Sequence, residues 1–166
     1  MPLCDTLLRS AESPSLFRIA WSQEIMNEIR RVLVGEKFGY SPMQVDRRIQ
    51  KMEAAFPEAT HCVPQTLINS IVGLPDPDDR HVVALAIHAH ANSIVTENVK
   101  DFPKAVLNPH NLTVISTEDF LVNQFLLHPD IMHEKLDSQA AGIGKNREFV
   151  LSLLKKTVPR FCELCL

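Results

Sequence analysis

No apolar run in the sequence approaches the ~18–20 residues that would span a membrane. Nor does MPLCDTLLRS open with basic residues leading into an apolar stretch, so no secretory signal is legible and the cytoplasm is the expected compartment. Cysteine is too scarce for a disulfide framework: Cys4, Cys62, Cys162 and Cys165 are spread over a chain without a leader. Cys162 and Cys165 have the CxxC spacing, but no second CxxC or HxxxH pair exists to complete a tetrahedral zinc site. They lie at the C-terminus, away from any strand-to-helix junction of the thioredoxin kind, and read as a structural pair. GxSxG, the P-loop and GxGxxG are all missing, which removes the usual hydrolase, nucleotide and dinucleotide signatures. A DxDxT phosphatase nucleophile is missing too. There is no global excess of basic charge: the net charge is −3 and the pI about 6.1.

What is present is an ordinary globular composition, 45% apolar and 22% charged over 166 residues, enough for one domain with a sizeable core. The charge is unevenly placed. Residues 18–51 hold seven basic side chains (Arg18, Arg30, Arg31, Lys37, Arg47, Arg48, Lys51) against four acidic ones, a balance of +3. Residues 52–101 hold seven acids against Arg80 and Lys100, a balance of −5. An acidic focus beside a basic flank suits a metal site facing a phosphate chain; two solvated surfaces of opposite sign give the same count.

Leu3, Leu7, Leu8 and Ala11 recur at helical spacing, and residues 16–21 read as a short buried strand after a Ser-Pro-Ser break. Ser22 is a good N-cap for a helix with Ile25, Met26, Ile29, Val32 and Leu33 on one stripe. Ser41-Pro42 starts another helix that runs to about Phe56, and residues 59–63 form a weak strand. Leu-Pro-Asp-Pro-Asp-Asp-Arg-His-Val-Val-Ala-Leu-Ala-Ile-His-Ala-His-Ala (74–91) is a turn, a helix N-terminus and a helix apolar on most faces, hence largely buried. Short strands at 93–96 and 112–115 follow, and the alternation argues for an α/β fold with a parallel sheet. From Thr117 the chain reads as helical, with breaks near His128-Pro129 and Gly142-Ile-Gly144.

In open α/β sheets, functional groups gather beyond the carboxyl ends of the strands. Asn98 and Asp101 lie just after the 93–96 strand. A helix feeding a parallel strand runs opposite to it, which carries Asp79 to the same edge although it is 22 positions from Asp101 in sequence. Glu28, two turns into the Ser22 helix, can point along that edge. Carboxylates that converge repel one another unless a cation joins them, and oxygen-only ligands suit Mg²⁺ or Mn²⁺. For Asp76, Asp78 and Asp79 the competing role is helix capping and turn formation. A calcium EF-hand is excluded, because the loop counted from Asp76 lacks the glycine at position six and has Ile87 where the closing glutamate belongs. His88 and His90 point to different faces, while His81 and His88 share one but are separated by ~10 Å of rise. These histidines read as core or surface residues. A second basic cluster, Lys145, Arg147, Lys155, Lys156 and Arg160, can touch phosphates or be simply solvated.

Leu-Pro-Asp-Pro-Asp-Asp-Arg-His-Val (74–82), followed by Ile-Val-Thr-Glu-Asn-Val-Lys-Asp-Phe-Pro (94–103), resembles the signature of PIN-domain proteins, above all the VapC-like toxin ribonucleases. Trp21 to Leu33 is similar to the same group's second acidic motif. The resemblance implies a three-layer α/β/α fold with a parallel sheet, residues 1–116 forming the PIN-like domain and 117–166 a helical C-terminal extension. It implies Mg²⁺- or Mn²⁺-dependent cleavage of RNA, a small antitoxin as partner, and a homodimer as in many relatives. By the match, Glu28, Asp79 and Asp101 are the catalytic and metal-binding acids. Thr96, Asn98, Asp76 and Asp78 support them, and Arg30, Arg31, Arg47, Arg48 and Arg80 are candidates for RNA contact. The family's first apolar strand, which ends in Asp, has no counterpart here: Met1-Pro-Leu-Cys-Asp corresponds to the helix after it, and Asp5 lies beyond the motif. The resemblance therefore implies an N-terminally truncated domain. Its alternative function is a non-catalytic PIN-fold remnant, or a module that binds RNA or an antitoxin.

Overall fold

The computed structural model describes residues 2–36 and 38–166; Lys37, counted above in the basic flank, and Met1, the first residue of the motif comparison, lie outside the described residues. Helix α1 (Pro2–Ala11) is followed by β1 (Trp21–Ser22), α2 (Gln23–Val34), α3 (Pro42–Ala55), β2 (Thr60–His61) and α4 (Gln65–Ser70). A 3₁₀ turn (Pro77–Asp79) leads into α5 (Arg80–His88), then β3 (Ser93–Val95), a second 3₁₀ turn (Val99–Asp101), α6 (Lys104–Leu107) and β4 (Thr113–Ile115). The remainder is helical: α7 (Thr117–Leu127), α8 (Pro129–Ala141), α9 (Arg147–Leu154) and α10 (Pro159–Leu164). Among the described residues no helix is long and apolar enough to cross a membrane.

The helix starts follow local chemistry. Ser22, in extended conformation, accepts the Ile25 N–H on its hydroxyl and opens α2. Ser41 and Gln44 form a complete capping box with Pro42 at the first helical position, and Val45, Ile49 and Met52 then face inward. α5 is buried at His81, Val83, Ala84, Leu85 and Ala86, which its nearly all-apolar sequence requires. It ends in a Schellman pattern: the Ala91 N–H donates to the Ala86 carbonyl and the His90 N–H to that of Ile87. The left-handed residue of this cap is His90 (φ 52°), where glycine is usual.

The strands are shorter than the sequence suggests. β1 and β2 pair in parallel with Trp21 opposite Thr60 and Ser22 opposite His61. β3 and β4 form a second two-stranded sheet, whose hydrogen bonds run from the Thr113 N–H to Asn92 and from the Thr96 N–H to Ile115. Both partners advance together, the parallel pattern. The strand expected over 16–21 is confined to its last residue. Leu16 turns back to donate its N–H to Ser10, and β2 is too short to pair with more than Trp21 and Ser22. α4 is an element that the sequence reading did not anticipate.

Two units emerge from the packing. One comprises Ile19–Ile94 and Asn98–Val114, with a core of Ile71, Val83, Ala84, Ala86, Ile94, Phe102, Leu107 and Leu112. The other comprises Met1–Arg18, Val95–Glu97 and Ile115–Leu166. Its core joins Leu121, Phe125, Met132, Leu136, Val150, Leu154 and Phe161, with Leu3 and Leu7 of α1 packed against them. Thr6 donates to the Gln139 side-chain oxygen at 2.8 Å inside this unit, and the buried Lys135 ammonium donates to the Glu12 carbonyl at 2.9 Å. Cys162 and Cys165 are buried in the same core, and burial pushes the Cys165 thiol up to about 12. Such thiols are inert, as expected of a structural pair.

Candidate active site

The acidic turn before α5 divides its carboxylates among different tasks. Asp76 caps the 3₁₀ turn, its Oδ1 accepting the Asp78 N–H at 2.9 Å, so the capping role holds for this residue. Asp78 contributes its carbonyl, which lies 2.7 Å from Nδ1 of His81. Asp79 occupies the N-cap position of α5, yet its side chain makes no capping hydrogen bond. Its carboxyl is half-buried, and its pKa is held above the ordinary value first by burial and then by the charges of Asp76, Asp101 and Glu28, with His81 acting in the opposite sense. Carboxylates from three separated stretches of chain thus act on Asp79.

Glu28 projects from α2 with its side chain 43% exposed. Its Oε2 lies 3.4 Å from Nε2 of His81, and its Oε1 lies 3.9 Å from the Arg31 guanidinium. Glu24, one turn earlier, has its carboxyl lowered by the Ser22 hydroxyl, then by its own N–H, with a contribution from His81. Asp101 closes the 3₁₀ turn after β3 and donates its N–H to the Asn98 carbonyl at 2.9 Å. Asn98 N-caps that turn through its backbone. Thr96 belongs to the other unit, where its N–H holds the Ile115 carbonyl at 3.0 Å.

The basic candidates are partly engaged. Arg30 pairs with Asp46 at 2.6 Å, on the wall of a groove of about 240 Å³ that also includes Gln23, Met26, Ile49, Gln50 and Glu53. Arg31 lies beside Glu28, Arg47 is exposed on α3, and Arg48 and Arg80 are half-buried. In the second basic cluster, Arg147 is bound to Asp137 and Arg160 to Glu118 and Asp119, while Lys145 lies over the Phe149 ring.

The groups that raise Asp79 are carboxylates, oxygen donors of the kind a hard divalent cation takes, and beside Glu28 His81 presents a buried Nε2 with no hydrogen-bond partner. In the arrangement seen, no three His, Cys, Asp or Glu side chains among the described residues already converge closely enough to hold an ion. Glu28 is exposed enough to swing, so a cation would have to draw these carboxylates together against their repulsion. Sequence reasoning left His81 as a core or surface residue, and it missed both the contact of His81 with Glu28 and Glu24. The available signal was the i, i+4 spacing of Glu24 and Glu28, which puts them on one face of α2.

The family model of the PIN domain matches residues 6–100. A Mycobacterium tuberculosis protein named "Putative ribonuclease VapC50" is 40% identical over 52 residues, 31% of this chain and 31% of that protein. The match therefore spans under a third of that relative's length. No solved structure matches the chain.

Proposed function

The chain belongs to the PIN-domain family, and from that membership we propose that it is a divalent-metal-dependent endoribonuclease, the toxin of a toxin–antitoxin pair. Its substrate is RNA, its partner a small antitoxin, and its place of action the cytoplasm; a homodimer is part of the same reading. The PIN fold is a three-layer α/β/α arrangement, and alternating helices and parallel strands followed by helices alone are of that class. The likeness to a VapC protein supports the toxin assignment.

The observation that carries the enzymatic reading is Asp79, an uncapped carboxylate whose charge is opposed by Asp76, Asp101 and Glu28. A carboxyl held up by burial and by neighbouring acids costs stability when ionised, and a positive ligand would relieve that cost. Glu28, Asp79 and Asp101 would hold Mg²⁺ or Mn²⁺, with Asp76 and Asp78 shaping the turn and Asn98 and Thr96 supporting the strand end. The ion supplies charge neutralisation at a phosphodiester and promotes attack by water. Arg31 beside Glu28, with Arg30, Arg47, Arg48 and Arg80, would bind the RNA backbone through its phosphates. Residues 117–166 form a helical extension to the PIN-like part.

The test is RNA cleavage by the purified chain with Mn²⁺ or Mg²⁺. Cleavage that needs the ion and falls at least about 10²-fold in Asp79→Asn and in Asp101→Asn supports the enzyme. A second reading, binding of RNA or antitoxin without turnover, is favoured by the separation of the acids. Retention of RNA on a gel without any cutting would establish it in place of the first.

A further inference from the structure

Residues 145–160 carry five basic side chains against one acid, a balance of +4, and their contacts divide the five into two groups. Arg147 is spent on Asp137, and Arg160 on Glu118 and Asp119. The acid, Glu148, accepts from the Asn146 amide at 2.7 Å. Lys145, Lys155 and Lys156 are exposed and have no acidic partner among the described residues. Three cations are thus left unneutralised at the two ends of α9. This helix buries Val150, Leu151 and Leu154 in the core and leaves Phe149 39% and Leu153 43% exposed. Phe149 and Leu153 are four apart, and helical spacing continues their stripe back to Lys145 and on to Lys156. The join to Lys145 is direct, since its ammonium lies 5.3 Å from the centre of the Phe149 ring. Beyond Leu154 the Lys155 N–H still donates to Leu151 and the Val158 N–H to Leu154, so the helical turn carries through Lys156.

We propose that this face of α9, made of Lys145, Phe149, Lys155 and Lys156, binds single-stranded RNA as a second contact outside the acidic site. The proposal rests on reading the chain as a protein that acts on RNA. Positive charges that no acid satisfies are complementary to a phosphate chain, and an exposed aromatic ring among them offers its face to an unstacked base. Such a ring accepts any base, so the contact adds affinity without choosing a sequence. A cation over an exposed ring is held more weakly than a stacked base, so Lys145 can turn to a phosphate while a base takes its place. A double helix keeps its bases stacked inside and could use the lysines alone. A lipid surface calls for a broad apolar face, whereas α9 offers two side chains, each more than half covered. The face belongs to the unit of the C-terminal helices, and Glu28, Asp79 and Asp101 belong to the other. Its loss should therefore weaken RNA binding and leave the chemical step alone.

Fluorescence anisotropy of a labelled oligouridine, in EDTA so that no metal-dependent cutting occurs, reads the contact. Combining Lys145→Gln, Lys155→Gln and Lys156→Gln should make the fall of log affinity with log salt about two units less steep, because each phosphate contact on a single strand contributes ~0.7. Phe149→Leu keeps an apolar side chain but removes the aromatic face, and should weaken binding about 10-fold, while Phe149→Tyr stays within about threefold of wild type. The three lysines are exposed, so their variant decides the matter even where a change at Phe149 disturbs folding. A wild type that binds no oligouridine, an unchanged salt slope, or equal affinities of Phe149→Leu and Phe149→Tyr would overturn the proposal. So would an equally tight complex with duplex RNA, or a preference for phosphatidylserine vesicles over the oligouridine. In cleavage with Mn²⁺ the lysine variant should show a raised KM for RNA and an unchanged kcat. Cutting by a wild type whose lysine variant keeps full RNA affinity overturns this contact alone. Oligouridine bound as expected across the variants, yet left uncut by the wild type with Mn²⁺, overturns the ribonuclease reading alone.

Discussion

The shifted aspartates of the two units of this protein move in opposite directions. In the unit that contains the C-terminal helices, Asp137 is lowered by its hydrogen bonds from Arg147, and Asp119 by the Ser116 hydroxyl and then by Arg160. In the unit containing α5, Asp79 is raised by burial and by three other acids. The first arrangement stabilises a fold, since each negative charge has a donor. The second opposes folding locally, and a fold that retains it has a use for the charge that its own structure does not meet. The same residue type thus reports structure in one unit and points to chemistry in the other.

The largest blow to this contrast should come from the core that holds the paired carboxylates in place. Phe161→Ala, at a fully buried position among Phe125 and its neighbours, should cost about 3–5 kcal/mol in denaturant unfolding. Breaking the buried polar link is next. Thr6→Val removes the donor to the Gln139 oxygen and should cost about 1–3 kcal/mol, with no change in Mn²⁺ binding by the other unit.

The two aspartates themselves give smaller effects, of opposite sign. Asp137→Asn weakens a pair whose side chains are 31% and 54% exposed, so screening limits the loss to below about 1 kcal/mol. Because the folded Asp137 carboxyl is depressed, that loss is fully developed above the unfolded carboxyl range and vanishes as pH falls through the lower, folded value. Asp79→Asn should instead raise the Tm slightly at pH 7 in the absence of divalent ions. Its folded carboxyl is raised, so wild-type stability declines as pH rises through the unfolded carboxyl value and levels off above the folded one. The advantage of the Asn variant should therefore shrink as pH is lowered through that window. A thermal-melt series from pH 3 to 8 checks both signs, and a destabilised Asp79→Asn at pH 7 would remove the contrast between the units.

Much of the architecture was readable where the signal is local. Ser22, Ser41-Pro42, Pro129 and the apolar run 82–87 announce their helices because capping and periodicity depend on residues within a few positions. The strand over 16–21 misled because strands need partners, and the partner here is two residues long. α4 lacks a side-chain cap and is six residues long, so it carried no start signal. Among the acids, the order Glu28, Asp79, Asp101 was legible from the resemblance, whereas the engagement of Arg30 with Asp46 was not.

By itself the sequence determined where helices begin, which faces they bury and which stretches carry the acidic groups, since these follow from chemistry between near neighbours. Only the tertiary structure decided that Asp76 is occupied in capping while Asp79 is left exposed to the charges of distant acids. It also decided that His81 turns one nitrogen to a backbone carbonyl and the other to Glu28, 53 positions away. Desolvation and repulsion are properties of groups brought together in space, and no pattern along one chain segment specifies which of several identical carboxylates will lack a partner.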